Sequence, residues 1–121
     1  MGCIQLALSD TAKADVLRNL LARCTQLPVR CVESPCLEEA CVVVVDPAHL
    51  RLLPTPLPFP DRVVLLTMND AGHLRDAWEA GVGSVVTDQD PPNTVALAIL
   101  SACLRSGTAD AKQVLGRKFE R

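Results

Sequence analysis

The stretch "CVVVVD", residues 41 to 46, is apolar at every position before its final aspartate. A strand with one solvated face alternates apolar and polar residues. An unbroken apolar run therefore needs cover on both faces, which is the condition of an interior strand in a parallel sheet. A second run of this kind, "RVVLLT", occupies residues 62 to 67. Two such strands in one short chain restrict the architecture to helices packed on both sides of a parallel sheet, an α/β fold. Both runs stop at a polar residue, Asp46 and Thr67.

The segments around these runs alternate as that architecture requires. "CIQLAL" (3 to 8) reads as a strand. "SD" then opens the helical pattern "TAKADVLRNLLARCTQL", where Val16, Leu20 and Cys24 recur at helical spacing beside Leu17 and Leu21. "VRCVE" (29 to 33) is a short strand, and "SPCLEEA" has room for about one helical turn. In "PAHLRLLPTPLPFPD" the prolines at 54, 56, 58 and 60 exclude helix and favour an extended, rigid loop. "NDAGHLRDAWEAG" predicts a helix capped by Asn69 or Asp70 and ended by Gly81. "GSVVTD" (83 to 88) is a fifth strand, and "PPNTVALAILSACLRSG" a last helix from Pro92 or Asn93 to Gly107. Residues 1–107 thus read as one domain and 108–121, "TADAKQVLGRKFER", as a helical extension or linker.

Composition narrows the function classes. Twelve Lys and Arg against fourteen Asp and Glu leave a net charge of -2, so nucleic acid and anionic membrane are not expected partners. No apolar run of about 18 residues and no signal peptide is present, which predicts a cytoplasmic protein. Leu6 stands where a myristoylation signal has Ser or Thr. The six cysteines lie in apolar runs and are expected to behave as small buried hydrophobes. The five-residue step Cys31, Cys36, Cys41 fits no zinc knuckle. The glycines of "EAGVGSVV" precede a strand rather than a helix, so they make no phosphate loop. Trp78 and the phenylalanines are expected to pack, and His49 and His73 have no nucleophile nearby in sequence. No catalytic set emerges.

Open parallel sheets gather binding groups beyond the carboxyl ends of their strands, and here those ends carry Ser9 and Asp10, Asp46, Thr67 and Asp88. This pattern, with "RVVLLTMNDAGHLRDAWEAGVGSVVTDQDPPNTVALAI" as its most specific stretch, resembles the receiver domain of bacterial response regulators, the CheY-like family. The resemblance implies a flavodoxin-like three-layer sandwich with a five-stranded parallel sheet. It puts Asp46 on the phosphoacceptor, Asp10 on the second of two metal-binding acids and Thr67 on the switch hydroxyl. Ser9 replaces the first acid, and the strand-five lysine falls at Asp88. The chain's lysines are Lys13, Lys112 and Lys118, with none between residues 14 and 111. The intervals from Asp10 to Asp46 and from Asp46 to Thr67 are each shorter than in the family by roughly two helical turns. Helices 2 and 3 are therefore expected to be shortened or missing, with Leu50, Leu52, Leu53, Leu57 and Phe59 covering the sheet in their place.

Phosphoryl transfer to a carboxylate needs cations to neutralise the phosphate. With Asp10, Asp46 and Asp88 converging and no lysine expected at the mouth, an incoming phosphate meets repulsion, and Pro47 removes the N–H just after the acceptor position. The implied function is an atypical receiver-like domain of a two-component or phosphorelay regulator. It acts by protein contact, is not an enzyme, and has no cofactor beyond weak Mg2+ binding at Asp10 and Asp46. Its implied partners are a second copy, through the last two helices and the strand between them, an output domain or regulator protein, and a sensor kinase. The alternatives are an active receiver phosphorylated on Asp46 and a small-molecule or redox sensor on the same fold.

Overall fold

Val42, Val43, Val44 and Val45 are all fully buried, two under each face of the sheet. β-branched side chains are stiff and pack well on a pleated surface, so this run makes the centre of the molecule. The computed structural model describes residues 3–54 and 57–107, with 105–107 as backbone only. The elements are β1 (Cys3–Ala7), α1 (Thr11–Cys24), β2 (Val29–Cys31), β3 (Ala40–Val45), α2 (Pro47–Leu50), β4 (Val63–Thr67), α3 (Ala71–Ala80), β5 (Ser84–Thr87) and α4 (Pro92–Gly107), with a 3-10 turn at Pro60–Arg62 before β4. The expected extension over 108–121 lies outside the described residues.

The five strands form one parallel sheet in the order β2-β1-β3-β4-β5, the flavodoxin-like arrangement expected. Ile4, Leu6, Val42, Val44, Val64 and Leu66 face one layer, made by Leu17 and Leu21 of α1 and by Val95, Ile99 and Ala102 of α4. Val43, Val45, Val63 and Leu65 face the other, where Ala77 of α3 is joined by Leu37 and Leu53 from connections. The order reverses between β1 and β3, so the crevice beyond their carboxyl ends is the topological switch point.

On this second face the helices are curtailed. No helix joins β2 to β3, and α2 is a single turn. Two devices compensate. Gln5, buried on β1, accepts the Cys36 N–H on Oε1 at 2.8 Å and so anchors the β2–β3 connection against the sheet. Arg62 donates from Nη1 to the Leu37 carbonyl at 2.8 Å. Leu53 is buried and Leu50 and Leu57 are partly buried there, as expected of residues replacing a helix.

Several expectations are corrected. "PAHL" is helical, because Pro47 sits at the first helical position, where its missing N–H is not needed. The prolines at 54 and beyond exclude helix only around themselves. Leu52 and Phe59 are exposed instead of covering the sheet, and the Arg62 guanidinium stacks 4.3 Å from the centre of the Phe59 ring. Trp78 is 86% exposed, because α3 turns Ala77 to the core and the next position points away. The cysteines do not share one role. Cys3 is buried, but Cys24, the last residue of α1, and Cys31, at the end of edge strand β2, are exposed, and Cys36 is half-buried.

Cys41 and Cys103 form a disulfide between β3 and α4, with Cα atoms 5.3 Å apart. The pairing of β1 with β3 explains how they meet. Cys3 pairs with Ala40 and Ile4 with Val42, leaving Cys41 as the extra residue of a bulge. The bulge turns Cys41 and Val42 to the same side, against the layer that holds Cys103.

Candidate functional site at the carboxyl ends of the strands

Asp46 follows β3 directly and is the N-cap of α2. Its carboxylate is occupied on both oxygens. Oδ2 accepts the Ser9 N–H at 2.8 Å from the loop after β1, while Oδ1 accepts the His49 N–H at 2.9 Å and lies 2.7 Å from His49 Nδ1. Burial raises the carboxyl's pKa, but the Ser9 N–H, the His49 ring and the His49 N–H outweigh it and pull the value down from 3.8 to about 2. The charge is held, and the carboxylate ties the β1 loop to the β3 loop across the switch point.

Asp10 is likewise a cap. It sits before α1 and its Oδ1 accepts the Lys13 N–H at 3.1 Å. The two acids expected to hold Mg2+ are thus each committed to a helix start. Among the described residues no group of three or more His, Cys, Asp or Glu is placed to hold a metal ion.

The same capping unit recurs after β4. Asp70 caps α3, accepting the His73 N–H at 2.8 Å, with His73 Nδ1 2.8 Å from Oδ2. These bonds from His73, the backbone N–H first, lower the Asp70 pKa. "DPAH" and "DAGH" are therefore one device used twice, an aspartate N-cap closed by a histidine three residues on. The spacing was legible, and it assigns the two histidines a role that a search for a nearby nucleophile does not.

Thr67, at the end of β4, is 5% exposed, and its Oγ1 is buried without a hydrogen-bond partner. Leaving a buried hydroxyl unmatched costs about 1–3 kcal/mol. Its carbonyl accepts the Asp88 N–H at 3.0 Å, which brings the end of β5 beside it. Asp88 itself is exposed; the turn behind it is held by Asp90, whose Oδ2 accepts the Thr87 N–H at 2.8 Å.

A cleft of about 250 Å3 opens at this edge, lined by Asp10, Asp46, Thr67 and Asp88; of the strand-end residues singled out in the sequence, Ser9 does not line it. Lys13 lines it too. This corrects the expectation of a mouth without lysine. Asp10 caps α1, and Lys13, three residues further on, lies on the same side of the first turn, half-buried against the cleft. Three carboxylates face one ammonium group.

Comparison with known protein families and with curated proteins finds no match. Among solved structures, the chain is similar to a Burkholderia pseudomallei K96243 protein named as pilus assembly-related, with a TM-score of 0.61 and 18% identity over 85% of this chain and 90% of that one. A likeness at this identity establishes a shared fold.

Proposed function

We propose that this chain is a receiver-like regulatory module that works by protein contact, with Asp46 serving as a structural carboxylate rather than a phosphoacceptor. The observation that carries the reading is the occupancy of Asp46: both of its oxygens already accept hydrogen bonds, from the Ser9 N–H on one side and from His49 on the other. Ser9 in place of an acid, Asp88 in place of a cation and Pro47 after the acceptor position argue in the same direction. Lys13 supplies one positive charge to the cleft, against three negative ones. The similar structure is that of a protein named as pilus assembly-related, and its likeness supports the flavodoxin-like fold on which this reading is built.

The test is incubation with Mg2+ and acetyl phosphate, or with beryllofluoride, followed by intact mass and amide NMR. The expected outcome is no stable adduct and no change around Thr67. An adduct or large shifts that vanish in Asp46→Ala would establish an active receiver and sink the proposal.

A further inference from the structure

Among the described residues, Thr67 Oγ1 is the one buried side-chain oxygen or nitrogen without a partner, and Thr67 is one of the residues that line the cleft collecting Asp10, Asp46 and Asp88. A hydroxyl in that position offers lone pairs to something that donates. The rest of the wall says what. Leu8, Pro47, Leu66 and Met68 supply hydrocarbon, while the charged lining is three carboxylates to one ammonium, with His73 closed onto Asp70 beside it. An anion is repelled by that balance. A bare divalent ion finds no set of three ligating side chains among the described residues. A volume of about 250 Å3 is small beside ordinary ligand pockets, so the occupant has few heavy atoms.

We propose that this cleft binds a small organic cation, a primary ammonium or guanidinium group on a short apolar body, whose N–H groups donate to Thr67 Oγ1 and to the carboxylates of Asp88 and Asp10. Its apolar body lies against Leu66 and Met68. Asp46 contributes charge but few free lone pairs, since its oxygens are committed to Ser9 and His49. The cation stands where the receiver family places a phosphoryl group, and the inversion follows from the charges present. The inference goes beyond the role in protein contact, and a titration without phosphodonor or Mg2+ keeps its outcome separate from that reading.

The experiment is an amide NMR titration of the full chain with n-butylammonium and methylguanidinium, alongside butyrate and butanol, at constant ionic strength up to about 50 mM, since ligands this small bind in the millimolar range. Saturable shifts at Leu66, Thr67, Met68 and Asp88 with the two cations, and none with butyrate or butanol, are expected. Thr67→Val and Asp88→Asn should each weaken binding about tenfold, because each removes an acceptor from a buried or charged hydrogen bond. Thr67→Ser should retain it. If Thr67→Val does not fold, Asp88→Asn and Thr67→Ser decide. Tighter binding of a capped arginine amide than of butylammonium would identify a protein side chain as the occupant, and the reverse a free amine; either upholds the site. No saturable shift, an equal response to butyrate, a response to Mg2+ alone, or unchanged affinity in Asp88→Asn would overturn it.

Discussion

Asp46 acts as a joint between two loops and the start of a helix. Its carboxylate bridges two loops and caps a helix, so Asp46→Ala should lower stability by about 1–3 kcal/mol, the sum of a lost cap and a lost acceptor for the Ser9 N–H. Acid should have the same effect. Because the folded-state pKa is lowered from 3.8 to about 2, the unfolded chain binds the proton first as pH falls. The contribution is full above about pH 4 and is lost as the pH drops through about 2. Urea unfolding between about pH 5 and pH 2 should show the wild type losing on the order of 1–2 kcal/mol more than Asp46→Asn, a shift of over one pKa unit. Equal losses in both would count against the assignment. At this scale the strand-end positions Asp10, Asp46, Thr67 and Asp88 were legible, because polar residues that end apolar runs have one place to go in a parallel sheet. The lone hydroxyl of Thr67 was not, since an unmet hydrogen bond is a property of neighbours that only folding brings together.

α3 carries its instructions at both ends: Asp70 caps it, and Gly81, at φ 76°, closes it with its N–H on the Trp78 carbonyl. Two other glycines near it should respond oppositely to alanine. A Cβ on Gly83 would stand 2.5 Å from the Pro60 carbonyl oxygen and 2.9 Å from Asp61 Cα, backbone atoms that cannot yield cheaply. Gly83→Ala should therefore destabilise by about 1–3 kcal/mol. A Cβ on Gly72, near the start of α3, meets only Asp70 Oδ1 at 3.6 Å, so Gly72→Ala should stabilise by about 0.5–1 kcal/mol through helix propensity. Thermal unfolding of the two variants checks both signs. The interior strands, α1, α3 and α4 could be read because periodicity and capping residues are local. The single turn of α2 was hidden by the prolines after it, and the bulge at Cys41 by its dependence on which residue of β1 lies opposite. Lys13 at the cleft was missed for a third reason: counting lysines along the chain ignores that the first turn of α1 leans over the strand ends.

On the scale of the whole molecule, α4 leaves part of its apolar surface exposed. Between Pro92 and Leu104 it has no charged residue, and Leu97 and Leu104, seven positions apart, are 65% and 72% exposed with half-buried Leu100 between them. Spacings of three and four make a seam that meets a second copy of itself without like-charge repulsion. We predict a dimer by sedimentation at tens of micromolar, the range a modest apolar helix seam reaches, reverting to monomer in Leu97→Glu. Monomer alone in the wild type would refute the seam. The disulfide has a different reach. Cys41 and Cys103, 62 residues apart, close β3, α2, β4, α3, β5 and most of α4 into a covalent ring, leaving β1, α1 and β2 outside as a tail. A backbone cut inside the ring, for example by trypsin after exposed Arg51, opens the circle without freeing either piece. The cut protein should migrate as one band on a denaturing gel and as two once reductant is added, whereas a cut after Arg23 should release its fragment under either condition. The proline-rich connection is in this sense dispensable to the chain's covalent integrity: it can be severed and the molecule remains one object, for as long as the sulfur bond is kept oxidised.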